Sequence, residues 1–223
     1  MVIQNLYETG DRGIVSVGYT DVATGKSRTN LYGGITYSGY ASGASITATG
    51  LSGVGVLSNV PFYSDVIWTG TQINNLTYRK SFDLDFELPQ TIDGQTVVQI
   101  PIFVDSAGAG NHNYWLEIDI QKIDSSNNVS SILSGATRSY IGLSNDSSGA
   151  HVFSWSGDFP RTTFKSGEKL RLLLYPRADG TGQQYYIGTD PEGRTTISRS
   201  GGKDTVSTIS SKLIFQVPFK VDL

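Results

Sequence analysis

Three carboxylates, Asp83, Asp85 and Glu87, stand at alternate positions of the segment Ser81–Leu88. Hard cations prefer carboxylate oxygens, so the row poses the question of calcium. On an extended strand the three groups spread over about 13 Å, too far for one ion to span unaided. A solvated outer face that discourages edge-to-edge pairing explains the same pattern. Asp190 and Glu192, in the Thr189–Arg194 loop, pose a similar choice between a cation and a proline-containing surface turn. Glycoside hydrolysis needs two placed carboxylates, and no acidic pair here has the apolar setting that raises a pKa. Glu117 and Asp119 share a strand face, as exposed acids commonly do. The two histidines, His112 and His151, stand without a visible nucleophile and orienting partner. No nucleophile elbow, phosphate-binding loop or dinucleotide fingerprint occurs. The expectation is a protein without enzymatic activity, with no catalytic residue, cofactor or metal.

Aromatic side chains offer a different chemistry. Tyr and Trp combine apolar area with a polar tip, which suits stacking on sugar rings or filling a protein interface. Tyr32, Tyr37, Tyr40 and Trp115 are the candidate partner-binding residues. Trp115 should face away from the apolar row Leu116, Ile118 and Ile120. Either a partner or a further layer of the same chain then covers it.

Residues of these kinds must be positioned by strands. In Ser81–Leu88, Phe82, Leu84, Phe86 and Leu88 alternate with the acids. Val98, Ile100, Ile102 and Val104 share a face, as do Tyr114, Leu116, Ile118 and Ile120. Leu170, Leu172 and Leu174 mark a central strand, and Leu213, Phe215, Val217, Phe219 and Val221 a last one. Period-2 alternation of this kind is the signature of half-buried strands. Asp93-Gly94 predicts a tight turn, and Pro218 predicts an edge strand or a bulge. No segment holds a capped helical period. The fold class expected is all-β: an antiparallel β-sandwich, jelly-roll-like, with a Gly-rich N-terminal arm or extra strands.

Composition divides the chain. Residues 1–75 hold 12 of the 26 glycines but only seven charged residues, against 30 charged residues in 76–223. The first part reads as an arm or as short strands, including Ile14–Tyr19, Leu31–Tyr37, Val54–Leu57 and Val66–Thr69; residues 76–223 read as the sandwich domain. The charged fraction of 17% is low beside the roughly 25% usual in soluble domains, so uncharged polar residues cover much of the surface. A net charge of -3 without a basic cluster argues against direct nucleic-acid binding. There are no cysteines, which excludes disulfides and thiolate sites. No apolar run approaches the roughly 20 residues of a membrane helix, and the opening residues lack the pattern of a secretory signal. The expected partners therefore include neither nucleic acid nor membrane.

Three stretches resemble minor structural proteins of tailed bacteriophages. They are Tyr19–Gly25 followed by Asn30–Gly34, Phe164–Pro176 leading to Tyr185–Pro191, and the closing Lys212–Leu223. The resemblance implies a virion component: a capsid decoration (cement) protein, or a head- or tail-attached piece. Its partners would be major capsid or tail subunits, and its own assembly a homo-oligomer, with a trimer favoured. It implies no catalytic residues. Phe164–Pro176 also resembles strands of carbohydrate-binding modules, so a carbohydrate- or receptor-binding module of a tail fibre or secreted protein stays open as the alternative.

Overall fold

The computed structural model describes residues 2–5, 18–21, 26–36, 54–72, 79–105, 112–137, 140–143, 148–179, 184–197, 205–206 and 209–220. The strands are β1 (Val2–Asn5), β2 (Gly18–Asp21), β3 (Lys26–Thr36), β4 (Val54–Ser58), β5 (Trp68–Gln72), β6 (Lys80–Asp85), β7 (Gln90–Asp105) and β8 (His112–Ile123). They continue as β9 (Val129–Ala136), β10 (Tyr140–Leu143), β11 (Ser148–Phe164), β12 (Lys169–Ala178), β13 (Gln184–Gly188), β14 (Thr196–Ile197), β15 (Thr205–Val206) and β16 (Leu213–Lys220). No described residue is helical. The fold is an all-β, jelly-roll-like sandwich.

Its first layer is built on β12, which lies between β6 and β8; β9 and β10 pair along the other side of β8. Alternation explains the packing. Leu172 lies opposite Phe82 on one neighbour and Ile120 on the other, and all three are 0% exposed. The second layer carries β3, β16, β7 and β11 side by side, with β13 and β5 continuing beyond β16 along β7. Here Leu31, Phe215, Val98 and Trp155 form one inward row across four strands. The inner faces of both layers share a single core cluster. β4 joins the layers along one side, antiparallel to β3 and parallel to β6 at Val56–Asp83. At the other side Trp155 of β11 packs onto Gly135 of β9.

Most of the alternating rows point where their sequence predicts. Leu88 does not: it is 66% exposed, because β6 ends at Asp85 and the chain turns away after Phe86. Asp93-Gly94 is not a hairpin turn. It lies inside the long strand β7, where Gly94 has φ 122° and the register against β11 shifts between Phe159 and Thr162. A residue free to adopt positive φ serves a bulge as well as a turn. The last strand is not an edge; β16 sits between β3 and β7, and Pro218 falls where its register against β7 shifts, between Gln216 and Phe219. The bulge spares the ladder the amide that proline lacks.

The five strands described in the glycine-rich first third belong to the same sheet. β3 pairs with β16 and β4, and Leu31, Ile35 and Leu57 belong to the main core, at no more than 2% exposed. Glycine is used there for close approach. A Cβ on Gly55 would collide with the Ser81 carbonyl, and one on Gly34 would lie 2.5 Å from the Phe62 ring. Of the expected strand Ile14–Tyr19, residues 14–17 lie outside the described residues.

Candidate functional site

The outer face of the second layer is the mirror of its core row. Because Leu31, Phe215 and Val98 point inward, their neighbours along each strand point out. Register then places Tyr32, Ile214, Gln99 and Ser154 in one row across β3, β16, β7 and β11. Asn30, Gln216, Val97 and Ser156 form the next row. None of the eight carries a charge. Asn30, Gln99, Ser154 and Ser156 are exposed, and the other four are half-buried. Asn30, Val97, Gln99, Ile214 and Gln216 line a shallow depression of about 130 Å³. The Gln216 amide donates to Asn30 Oδ1 at 3.1 Å, which holds two of the amides in fixed relation. At the rim, the Lys212 ammonium lies 5.6 Å from the centre of the Tyr32 ring.

Of the four aromatic candidates, Tyr32 stands at the edge of this face. Trp115 is half-buried on the outer face of the other layer, opposite Arg177. The core lies between them, so the fold does not bring Tyr32 and Trp115 into one site. Tyr37 and Tyr40 lie outside the described residues. Around Trp115 the first layer is charged. Arg177 donates to Glu117 at 2.8 Å and lies over the Tyr175 ring.

The acidic row is occupied by cross-strand pairs. Asp83 accepts both bonds of an Arg171 fork at 2.7 Å each, and Lys169 meets Asp85 at 2.8 Å. The Arg171 guanidinium is held above its usual range by those bonds. Glu87 is exposed. In the loop after β13, Asp190 is 0% exposed. Its carboxylate accepts from the Arg194 backbone N–H at 2.8 Å and from Arg194 Nε at 2.7 Å. Arg194 also donates to the Ser64 carbonyl at 2.5 Å and stacks 4.2 Å from the ring centre of Tyr63. This is a clasp between two loops, built on a proline-containing turn around the buried Asp190 carboxylate. Among the described residues no cluster of acids and histidines is placed to hold a metal ion.

Among the described residues Glu168 is the other buried carboxylate. Burial alone would raise it, but the Lys122 ammonium at 2.5 Å and the Lys165 N–H at 2.7 Å hold it below its usual range. His151 of β11 lies opposite Ile102, and burial lowers its pKa. The side chain of His112 lies outside the described residues.

The sequence reading missed Asn30, Gln99 and Gln216. Their signal was present as polar positions alternating with buried ones, at Gln99 between Val98 and Ile100 and at Gln216 between Phe215 and Val217.

No protein-family model matches the chain, and no curated protein matches it in sequence. Several solved structures do superpose. A CocE/NonD family hydrolase from Staphylococcus aureus aligns over 97% of this chain and 40% of its own, with a TM-score of 0.49 and 12% identity. An α-amino acid ester hydrolase aligns over 86% of this chain and 36% of its own, with a TM-score of 0.51 and 9% identity. The structure of infectious bursal disease virus, Gx strain, covers 93% of this chain and 62% of the viral one, with a TM-score of 0.25 and 10% identity. The chain thus spans about 40% of the length of the hydrolases. The likeness to the ester hydrolase is one of fold alone.

Proposed function

We propose that this chain is a non-enzymatic structural component of a bacteriophage particle, a capsid decoration (cement) or other head- or tail-attached protein that binds neighbouring virion subunits. The observation that carries the reading is the resemblance of its three stretches to minor structural proteins of tailed phages. Two of them fall on β3 and β16, which pair directly with each other. A non-catalytic role is supported by the buried carboxylates. Glu168 and Asp190 are both ion-paired, and Glu168 is held below its usual range, the opposite of what a general acid requires. The partners proposed are major capsid or tail subunits, and the assembly a homotrimer located in the virion, without direct contact to nucleic acid or membrane. Mass spectrometry of purified particles tests the reading. The chain should be present at a constant copy number per particle, and its absence from intact particles overturns the assignment.

A second reading, a carbohydrate- or receptor-binding module of a tail fibre or secreted protein, is favoured by the amide-rich depression on the second layer.

A further inference from the structure

We infer that the uncharged two-row face of the second layer is a binding site for a neutral oligosaccharide. The amides of Asn30, Gln99 and Gln216 would meet its hydroxyls, and the Tyr32 ring would meet the apolar face of a sugar.

The chemistry of the face selects the ligand. A sugar hydroxyl both donates and accepts, and a carboxamide offers an NH₂ donor and a carbonyl acceptor side by side. Three carboxamides from three different strands converge here, with the hydroxyl-bearing Ser154 and Ser156 continuing the two rows on a fourth. Val97 and Ile214 lie among the amides, half-buried, as apolar ground for the C–H side of a pyranose. Tyr32 adds an aromatic ring at one end, where its amphipathic body suits a ligand with an apolar face and a polar rim.

Other ligand classes fit less well. A nucleic-acid backbone or a phosphate ester calls for Lys or Arg, and none stands in the two rows. A protein partner calls for a buried aromatic, Arg or aliphatic centre, whereas the two middle strands of this face set only the half-buried Val97 and Ile214 between the amides of Gln99 and Gln216. Size favours a chain of sugars over one ring. Strands lie about 4.8 Å apart, so a row across four of them spans about 14 Å. The site is also rigid: it stands on paired strands over the main core, with Asn30 and Gln216 already bonded to each other, so little freedom is lost on binding.

The inference does not rest on the particle assignment. A chain that binds saccharide yet is missing from particles would refute that assignment and leave this site standing.

Isothermal titration of the full chain with cellohexaose, maltohexaose, xylohexaose and chitohexaose tests it, with polygalacturonate as the acidic comparator. At least one neutral hexasaccharide should bind saturably. Gln99→Ala and Gln216→Ala should each weaken that binding about tenfold, the loss of one well-made hydrogen bond. Lys169→Ala, on the other layer, should leave it unchanged. Both glutamines lie outside the core, so thermal unfolding of their variants should match the parent and separate lost binding from lost folding. Absence of saturable binding to all four hexasaccharides overturns the inference. So does binding that ignores both glutamine substitutions, or a preference for polygalacturonate that disappears with salt. If the two substitutions instead change the sedimentation of the chain alone, the face joins copies of the protein and the saccharide assignment is wrong.

Discussion

The indole of Trp155 on β11 lies directly over Gly135 on β9, so closely that a Cβ on Gly135 would fall 2.8 Å from the ring carbon Cε2. A Cβ on Gly157, two residues along β11, would lie 2.7 Å from the same ring. One tryptophan between two glycines closes the side of the sandwich opposite β4. Gly135→Ala should therefore destabilise the protein by about 1–3 kcal/mol, the usual cost of overpacking. Urea unfolding measures it, and an unchanged midpoint would show that the indole swings aside freely.

Residues 1–75 should prove essential to folding. Removing them strips Leu31, Ile35 and Leu57 from the core and leaves β16 without β3. The fragment 76–223 is expected to be insoluble or to lack a cooperative thermal transition. Within the full chain, Leu31→Ala should cost about 2–5 kcal/mol. A fragment that melts sharply would restore the view of the first third as an arm.

Arg194→Met should be more damaging than Tyr63→Ala. The first leaves the buried Asp190 carboxylate without its ionic partner, at a cost of about 1–3 kcal/mol or more. The second removes a side chain that is 63% exposed, and its effect should stay below that. Equal losses in a denaturant titration would mean that the stacking, not the buried pair, holds the two loops.

Stability should fall on acidification in two windows. Burial lowers the folded pKa of His151 from 6.5, so the unfolded chain binds the proton first and stability declines as pH drops below that value. Glu168 is also lowered, from 4.5, and its share is present above 4.5 and lost as pH falls through the folded value. Glu168→Gln should flatten the lower window and leave the upper one. Melting temperatures recorded from pH 7 to pH 3 decide this, and a variant whose lower slope matches the parent would remove Glu168 from the account.

Much of the architecture was legible because alternation states which face of a strand is wet. Phe82, Leu116, Leu172 and Phe215 could be assigned to the core from their own segments, and Trp115 to an outer face. What one segment cannot state is its lateral neighbour. Nothing local reveals that Tyr32 and Trp115 belong to opposite layers, or that Asn30, Gln99 and Gln216 converge through pairings distant in sequence. Asp93-Gly94 was misread for a related reason. The dipeptide reports a tolerance for positive φ, and only the partner strand decides whether that tolerance makes a turn or a bulge.

The position of β16 has a consequence for how the molecule comes into being. This strand is inserted between β3 and β7, both of which precede it by long stretches of sequence. During synthesis both neighbours must wait with open edges until residue 220 has left the ribosome. Pairings so distant in sequence close slowly, because the loop entropy is lost before the contacts form. The second layer is therefore completed only once β16 has emerged, and until then the waiting edges of β3 and β7 are where a nascent copy is most exposed to pairing with another chain.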